Sequence, residues 1–233
     1  MSAPPRLVPE PPGTGLVYVW QLPVRLSHWL IVVSIAVLAV TGYFIGNPLI
    51  TTGGPARDRI VAATMRSIHL YAAWVFGVSV VVRVYWMFAG SYYARWDQFI
   101  PVSRDRLNSV WQAMRFYSFQ RRGPQLYPGH SGLAALAYTG IFMIYFMEIV
   151  TGLALYFIYA PANSVFQGFR FLVPIYSRFL HHIGMWILLM FVIQHVYSTI
   201  LFSVEERSGI IDSMFTGYKR ISPEAEEEAH RDA

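Results

Sequence analysis

The sequence predicts an all-α integral membrane protein, a bundle of four transmembrane helices. Of its 233 residues, 55% are hydrophobic and only 13% are charged, a composition typical of membrane proteins. A helix of about 20 apolar residues crosses a hydrocarbon core of roughly 30 Å, and four stretches are long enough: residues 24–46, 66–90, 132–159 and 179–203. The runs are continuous, whereas barrel strands alternate polar and apolar residues, so helices are favoured.

These spans divide the chain into a leader at 1–23, a membrane domain at 24–203 and a tail at 204–233. The proline-rich leader contains no short hydrophobic run with a cleavage site, so we expect a tail rather than a signal peptide. The loop between spans two and three is rich in arginine: Arg95, Arg104, Arg106, Arg115, Arg121 and Arg122. By the positive-inside rule, this loop and both termini are predicted to be cytoplasmic.

The net charge of +5 is explained by this topology and by anionic membrane lipid. The arginines are spread along loops and no DNA-binding motif is present, so nucleic acid is not an expected partner. The chain contains no cysteine, which excludes disulfides, iron–sulfur ligation by this chain and covalent haem attachment.

Four histidines lie inside the apolar spans, His28, His69, His181 and His195. Imidazoles at membrane depth usually mark a metal site or a proton path. His181 and His195 are fourteen residues apart, which places them within roughly 40° of one helix face and about 21 Å apart along the axis. His182 lies roughly 140° from His195 around the same helix, so His181 is the better candidate.

Depth assigns the partners, because consecutive spans run in opposite directions. The pairs are His28 with His195 near the cytoplasmic side and His69 with His181 near the outer side. Histidines that project into a bundle core can hold a cofactor. Two imidazoles with no open position suit electron transfer. We therefore predict axial ligands for two noncovalent haem b groups held in the core of the bundle.

Four further residues are candidate haem contacts. Gly42 and Arg83 each follow a ligand histidine by fourteen residues, and Arg25 and Arg66 each precede one by three. Gly42 would leave space for a porphyrin, and the arginines would bind propionates. Close helix packing for the glycine and interfacial anchoring for the arginines are equally open.

Two more titratable residues border the core. His130, at the cytoplasmic entrance to span three, is placed to contact a quinone headgroup or deliver protons, or is simply a loop residue. Glu148 is the only acid within a span. We expect it to pair with an arginine, with proton conduction as the alternative.

The motifs in the first two spans resemble those of a known family. Val24-Arg25-Leu26-Ser27-His28-Trp29 and Ala39-Val40-Thr41-Gly42-Tyr43-Phe44-Ile45-Gly46-Asn47-Pro48 resemble the first span of the b-type cytochrome subunit of membrane-bound nickel–iron hydrogenases. The match continues through Arg66-Ser67-Ile68-His69, Gly129-His130 and His181-His182-Ile183-Gly184-Met185-Trp186. The histidine spacing is shared with the related gamma subunits of formate dehydrogenases.

This resemblance implies a multi-pass subunit of the bacterial cytoplasmic membrane. It implies that the small and large subunits of a periplasmic hydrogenase supply electrons through an iron–sulfur chain, and that two haems pass them to membrane quinone. The family's ligand positions fall on the four histidines chosen above by geometry, and His130 falls where related subunits place the quinone. The hydrogen-activating centre lies in the partner.

Two alternatives remain open from the sequence. The first is a gamma-type cytochrome b subunit of a formate dehydrogenase or similar quinone-linked oxidoreductase. The second is a transporter whose histidines bind a metal or relay protons. Secondary transporters usually contain internal repeats, and the internal similarity here is limited to Val40-Thr41-Gly42 and Val150-Thr151-Gly152.

Overall fold

Four long helices form most of the described structure. The computed structural model describes residues 16–47, 56–96, 108, 110–112, 114–115, 118, 120, 132–158, 174–206 and 209–220. The long helices are α1 (Leu22–Gly46), α2 (Ala56–Ala89), α3 (Gly132–Tyr156) and α4 (Pro174–Glu206). Around them lie β1 (Leu16–Tyr18), a 3₁₀ turn (Tyr92–Ala94), the short helix α5 (Ile210–Thr216) and β2 (Tyr218–Arg220).

The predicted all-α membrane fold is confirmed. Each long helix contains a stretch that is long and apolar enough to span a membrane, and these stretches are Leu22–Gly46, Arg59–Ala89, Ala134–Tyr156 and Pro174–Leu201. Two helices are longer than predicted, because α2 begins at Ala56 rather than near residue 66 and α4 begins at Pro174 rather than near residue 179. Hydropathy marks only the apolar part of a helix, whereas backbone hydrogen bonding continues through polar residues at its end.

The helices carry large apolar side chains on the outside. Val40, Met190 and Ile193 are at least 70% exposed, as expected for side chains that face lipid. The buried polar positions are mostly small: Ser27, Ser34, Thr41, Ser79, Thr151 and Ser177. Small and hydroxylated residues let transmembrane helices approach closely.

The chain divides into two compact units, and each holds part of all four long helices. The first unit comprises Met1–Arg25, Val84–Met143 and Val192–Ala233, and the second comprises Leu26–Arg83 and Ile144–Phe191. In the second unit, the rings of Phe76 and Tyr145 pack edge to face with their centroids 5.2 Å apart, a favourable aromatic geometry.

The first unit joins the two ends of the described chain. Strands β1 and β2 pair antiparallel, with Val17 opposite Lys219. Gly217 precedes β2 with φ of +92°, and its carbonyl accepts hydrogen bonds from the amides of Val19 and Trp20. A Cβ at Gly217 would lie 2.5 Å from the Tyr18 ring, so both its conformation and its surroundings favour glycine.

Candidate metal centre

Two of the four predicted ligand histidines face each other in the second unit. His69 on α2 and His181 on α4 have ring centroids 6.3 Å apart, with their planes inclined at 69°. Both rings are partly buried. The structure therefore brings together the pair that the depth argument predicted for the outer side.

A threonine fixes the protonation of each of these histidines. Thr41 Oγ1 lies 2.9 Å from His69 Nδ1, and Thr151 Oγ1 lies 3.1 Å from His181 Nδ1. Each hydroxyl donates its only proton to the carbonyl four residues earlier, of Val37 and of Met147, at 2.7 Å. Each threonine oxygen can then only accept from the imidazole. Both histidines consequently carry a proton on Nδ1, which leaves the Nε2 lone pair for a metal ion.

A glycine next to each threonine makes room for the imidazole. A Cβ on Gly42 would lie 3.2 Å from His69 Cε1, and a Cβ on Gly152 would lie 3.2 Å from His181 Cε1. Both distances are tighter than ordinary van der Waals contact. Gly42 therefore leaves space for the histidine ring itself, a more direct neighbour than the porphyrin that the sequence suggested.

The separation of the two rings fits a metal ion held between them. Metal–imidazole bonds are about 2.0–2.1 Å long, and each ring centre lies about 1 Å behind its bonding nitrogen, so two imidazoles that held one metal ion between them would have centres about 6 Å apart. The observed 6.3 Å agrees. Neutral imidazoles with hydrogen-bonded Nδ1 atoms are the usual form of metal-ligating histidine, and the donor set fits haem iron.

The sequence suggested an arginine partner for Glu148, but among the described residues its carboxyl group contacts His181. Its Oε2 lies 2.8 Å from His181 Nδ1, and its side chain is 11% exposed. Glu148 lies about one helical turn before Thr151 on α3, so both side chains reach the same atom, His181 Nδ1. The approach of α4 depends on Gly184, where a Cβ would lie 1.9 Å from Glu148 Oε1.

The other pair of predicted ligands is divided between the two units. His28 lies in the second unit and His195 in the first, so this pair stays a prediction. The His195 ring packs against Tyr138 with centroids 6.0 Å apart. His182, the neighbour of His181, is exposed and accepts a hydrogen bond from Trp186 Nε1 at 3.2 Å.

The arginines differ in their surroundings. Arg83 is only 7% exposed, as expected if its guanidinium binds a propionate inside the bundle. Arg66 is exposed, which fits an interfacial anchor. The Arg25 guanidinium donates to the Phe215 carbonyl, so part of its hydrogen-bonding capacity already joins α1 to α5. His130 lies outside the described residues.

Sequence reasoning overlooked Thr41, Thr151 and Gly152 as supports of the histidines. The signal was present in the similarity between Val40-Thr41-Gly42 and Val150-Thr151-Gly152. The structure gives this similarity a physical meaning, because each Thr-Gly pair contacts one histidine on the following long helix.

Comparison with known proteins places the chain among b-type cytochromes. The family model described as prokaryotic cytochrome b561 matches residues 19–217. The chain is 38% identical to a probable Ni/Fe-hydrogenase B-type cytochrome subunit of Bradyrhizobium diazoefficiens, over 90% of this chain and 88% of that protein. It is 37% identical to the subunit of the same description from Azotobacter vinelandii, over 87% and 88%. It is 36% identical to a probable Ni/Fe-hydrogenase 1 B-type cytochrome subunit of Escherichia coli K12, over 87% and 90%.

Proposed function

The chain belongs to the prokaryotic cytochrome b561 family, and from this premise we propose that it is the dihaem cytochrome b subunit of a membrane-bound nickel–iron hydrogenase. In this role it carries electrons from the iron–sulfur chain of the hydrogenase small and large subunits to membrane quinone. The names of its relatives support the association with a hydrogenase. The relatives align over most of both chains, so the proposal concerns the whole subunit.

The observation that carries the proposal is the pair formed by His69 and His181. Their ring centroids lie 6.3 Å apart, and because Nδ1 of each ring is hydrogen-bonded to a threonine, His69 and His181 would be left to hold a haem iron through Nε2. A bound haem would supply reversible one-electron transfer. The chain would orient the ligands through the hydrogen bonds with Thr41 and Thr151.

The remaining parts of the proposal come from the sequence and from family resemblance. His28 and His195 are the proposed ligands of the second haem, and His130 is the proposed quinone contact. Burial of Arg83 supports a role as a propionate partner. The charge distribution supports a multi-pass subunit of the bacterial inner membrane with both termini in the cytoplasm.

Adjacent histidines on α4 provide a matched test of the ligand assignment. We expect wild-type protein to hold two haems b per chain, His181→Ala to lose one and His182→Ala to keep both, because only His181 faces His69. Pyridine haemochrome analysis of protein purified from cells with ample haem supply measures the content. Retention of both haems in His181→Ala would contradict the assignment.

The second pair is tested through His195. His195→Ala should remove the other haem and stop hydrogen-dependent quinone reduction in membranes. Hydrogen oxidation with an artificial dye should continue, because that reaction takes place in the partner subunits. If His195→Ala retains both haems, the pairing of His28 with His195 is wrong.

A further inference from the structure

The hydrogen bonds to the two facing histidines are unequal. Among the described residues, the hydrogen-bond partners of His69 are neutral: the Thr41 hydroxyl, 2.9 Å from Nδ1, and the backbone of Leu38. His181 Nδ1 meets the Thr151 hydroxyl at 3.1 Å and, at 2.8 Å, the carboxyl group of Glu148. The two sites are otherwise alike, with a Thr-Gly pair beside each ring.

The difference falls on equivalent positions of the internal similarity. Leu38 precedes Thr41 by three residues on α1, and Glu148 precedes Thr151 by three on α3. At the first position the backbone carbonyl serves as the acceptor, and at the second a side chain does. The two histidine environments therefore differ by one acidic side chain, Glu148, which is present only beside His181.

The geometry also defines which group donates in the contact between His181 and Glu148. His181 Nδ1 carries a proton, because the Thr151 hydroxyl donates its own proton to the Met147 carbonyl. Glu148 Oε2 is therefore the acceptor. Its other oxygen, Oε1, is buried and has no hydrogen-bond partner among the described residues, so the contact with His181 is the hydrogen bond that the structure shows for this carboxyl group.

We infer that Glu148 is a positioning residue that gives His181 anionic character and lowers the reduction potential of the haem bound between His69 and His181. A carboxylate that accepts from the far nitrogen of a ligating histidine raises the basicity of that ligand. A more basic ligand stabilises the oxidised iron over the reduced iron. This inference rests on the proposed haem ligation and adds to it a residue that sets the potential.

The test is a redox titration of the purified, haem-loaded protein with Glu148→Gln. Glutamine keeps the size of the side chain and removes the charge. We expect both haems to be retained and the reduction potential of one haem to rise by about 59 mV. For a one-electron couple, this corresponds to a tenfold change in the equilibrium constant of reduction. The other haem should not shift.

Asp212→Asn is the matched control. Asp212 is an exposed carboxylate on α5, and the substitution removes the same charge without altering a histidine contact in the described part of the chain. It should leave both potentials unchanged. Equal shifts in the two variants would mean a general effect of net charge and would overturn the inference.

The outcomes separate this inference from the proposed function. Wild-type protein without haem would refute the proposed function. Two haems with unchanged potentials in Glu148→Gln would refute the role of Glu148 and leave the proposed function standing.

If Glu148→Gln loses the haem, the near-infrared spectrum of the oxidised wild-type protein tests the inference instead. Anionic character in an axial imidazole shifts the near-infrared charge-transfer band of low-spin ferric haem to higher energy. Two different band positions, one typical of neutral imidazoles and one shifted, support the inference. Two bands at the neutral position overturn it.

Discussion

At the scale of single residues, the site depends on glycines that leave room for the histidine rings. Gly42 and Gly152 are as much part of the histidine environment as the threonines beside them, because a methyl group at either position would press on an imidazole edge. Gly77, on α2, has no described atom outside its own helix backbone within 4 Å of the place where a Cβ would lie. Gly42 and Gly152 are therefore needed to make room for a histidine, whereas Gly77 is not.

This difference predicts opposite effects of the same substitution. Gly42→Ala and Gly152→Ala should shift a ligating ring by a few tenths of an ångström and weaken haem retention by about 10- to 100-fold, the usual cost of disturbing a ligand's support. Gly77→Ala should keep full haem content and stabilise its helix by about 0.5–1 kcal/mol. Haem per chain after extended washing in detergent measures the effect, and equal retention in all three variants would contradict the prediction.

At the scale of elements, the contact between α3 and α4 is the tightest that the described glycines reveal. A Cβ at Gly184 would lie 1.9 Å from Glu148 Oε1 and 2.7 Å from Met147 Cε. Glu148 is held against His181, so it is not free to yield. The helices approach this closely only because α4 carries a glycine there.

Gly184→Ala should therefore destabilise the bundle by about 1–3 kcal/mol, the usual cost of overpacking. Gly140→Ala is the control on α3, because a Cβ there would contact no other part of the described structure. The melting temperature of the haem-loaded protein in detergent should fall in the first variant and hold in the second. An unchanged melting temperature in Gly184→Ala would show that the helices separate easily.

The small sheet between β1 and β2 is a second element with a glycine requirement. Gly217→Ala combines a positive φ with a Cβ 2.5 Å from Tyr18, whereas Gly209→Ala has φ of +66° and no atom closer than 3.7 Å. The shared conformational strain is about 1–2 kcal/mol. We expect faster tryptic cleavage after Lys219 in Gly217→Ala than in Gly209→Ala, and equal rates would disprove a packing role for Gly217.

At the scale of the whole molecule, the four spans and the arginine-rich loop predict that both termini face the cytoplasm. A fluorescent protein fused after Ala233 should fluoresce, and alkaline phosphatase at the same position should be inactive. Alkaline phosphatase fused after Asn47, where α1 has ended, should be active because the predicted outer side follows the first span. Active phosphatase at the C-terminus would reverse the topology.

The sequence alone determined the membrane fold, and it also supplied the four ligand candidates. Hydropathy over about 20 residues reports a span regardless of its neighbours, and the 100° turn of a helix places His181 and His195 on one face without reference to other helices. Helix ends were less accurate, as at Ala56 and Pro174, because backbone hydrogen bonding continues beyond the apolar residues.

Only the tertiary structure decided which atoms form hydrogen bonds with the candidate ligand histidines. Thr41 and His69 are 28 residues apart, and Thr151 and His181 are 30 residues apart, so their hydrogen bonds depend on how closely two helices approach. The same holds for Glu148, for which an arginine partner was expected and whose partner in the described part of the chain is His181. Hydrogen bonds form only within about 3 Å, and periodicity along one helix contains no information on distances of that size between helices.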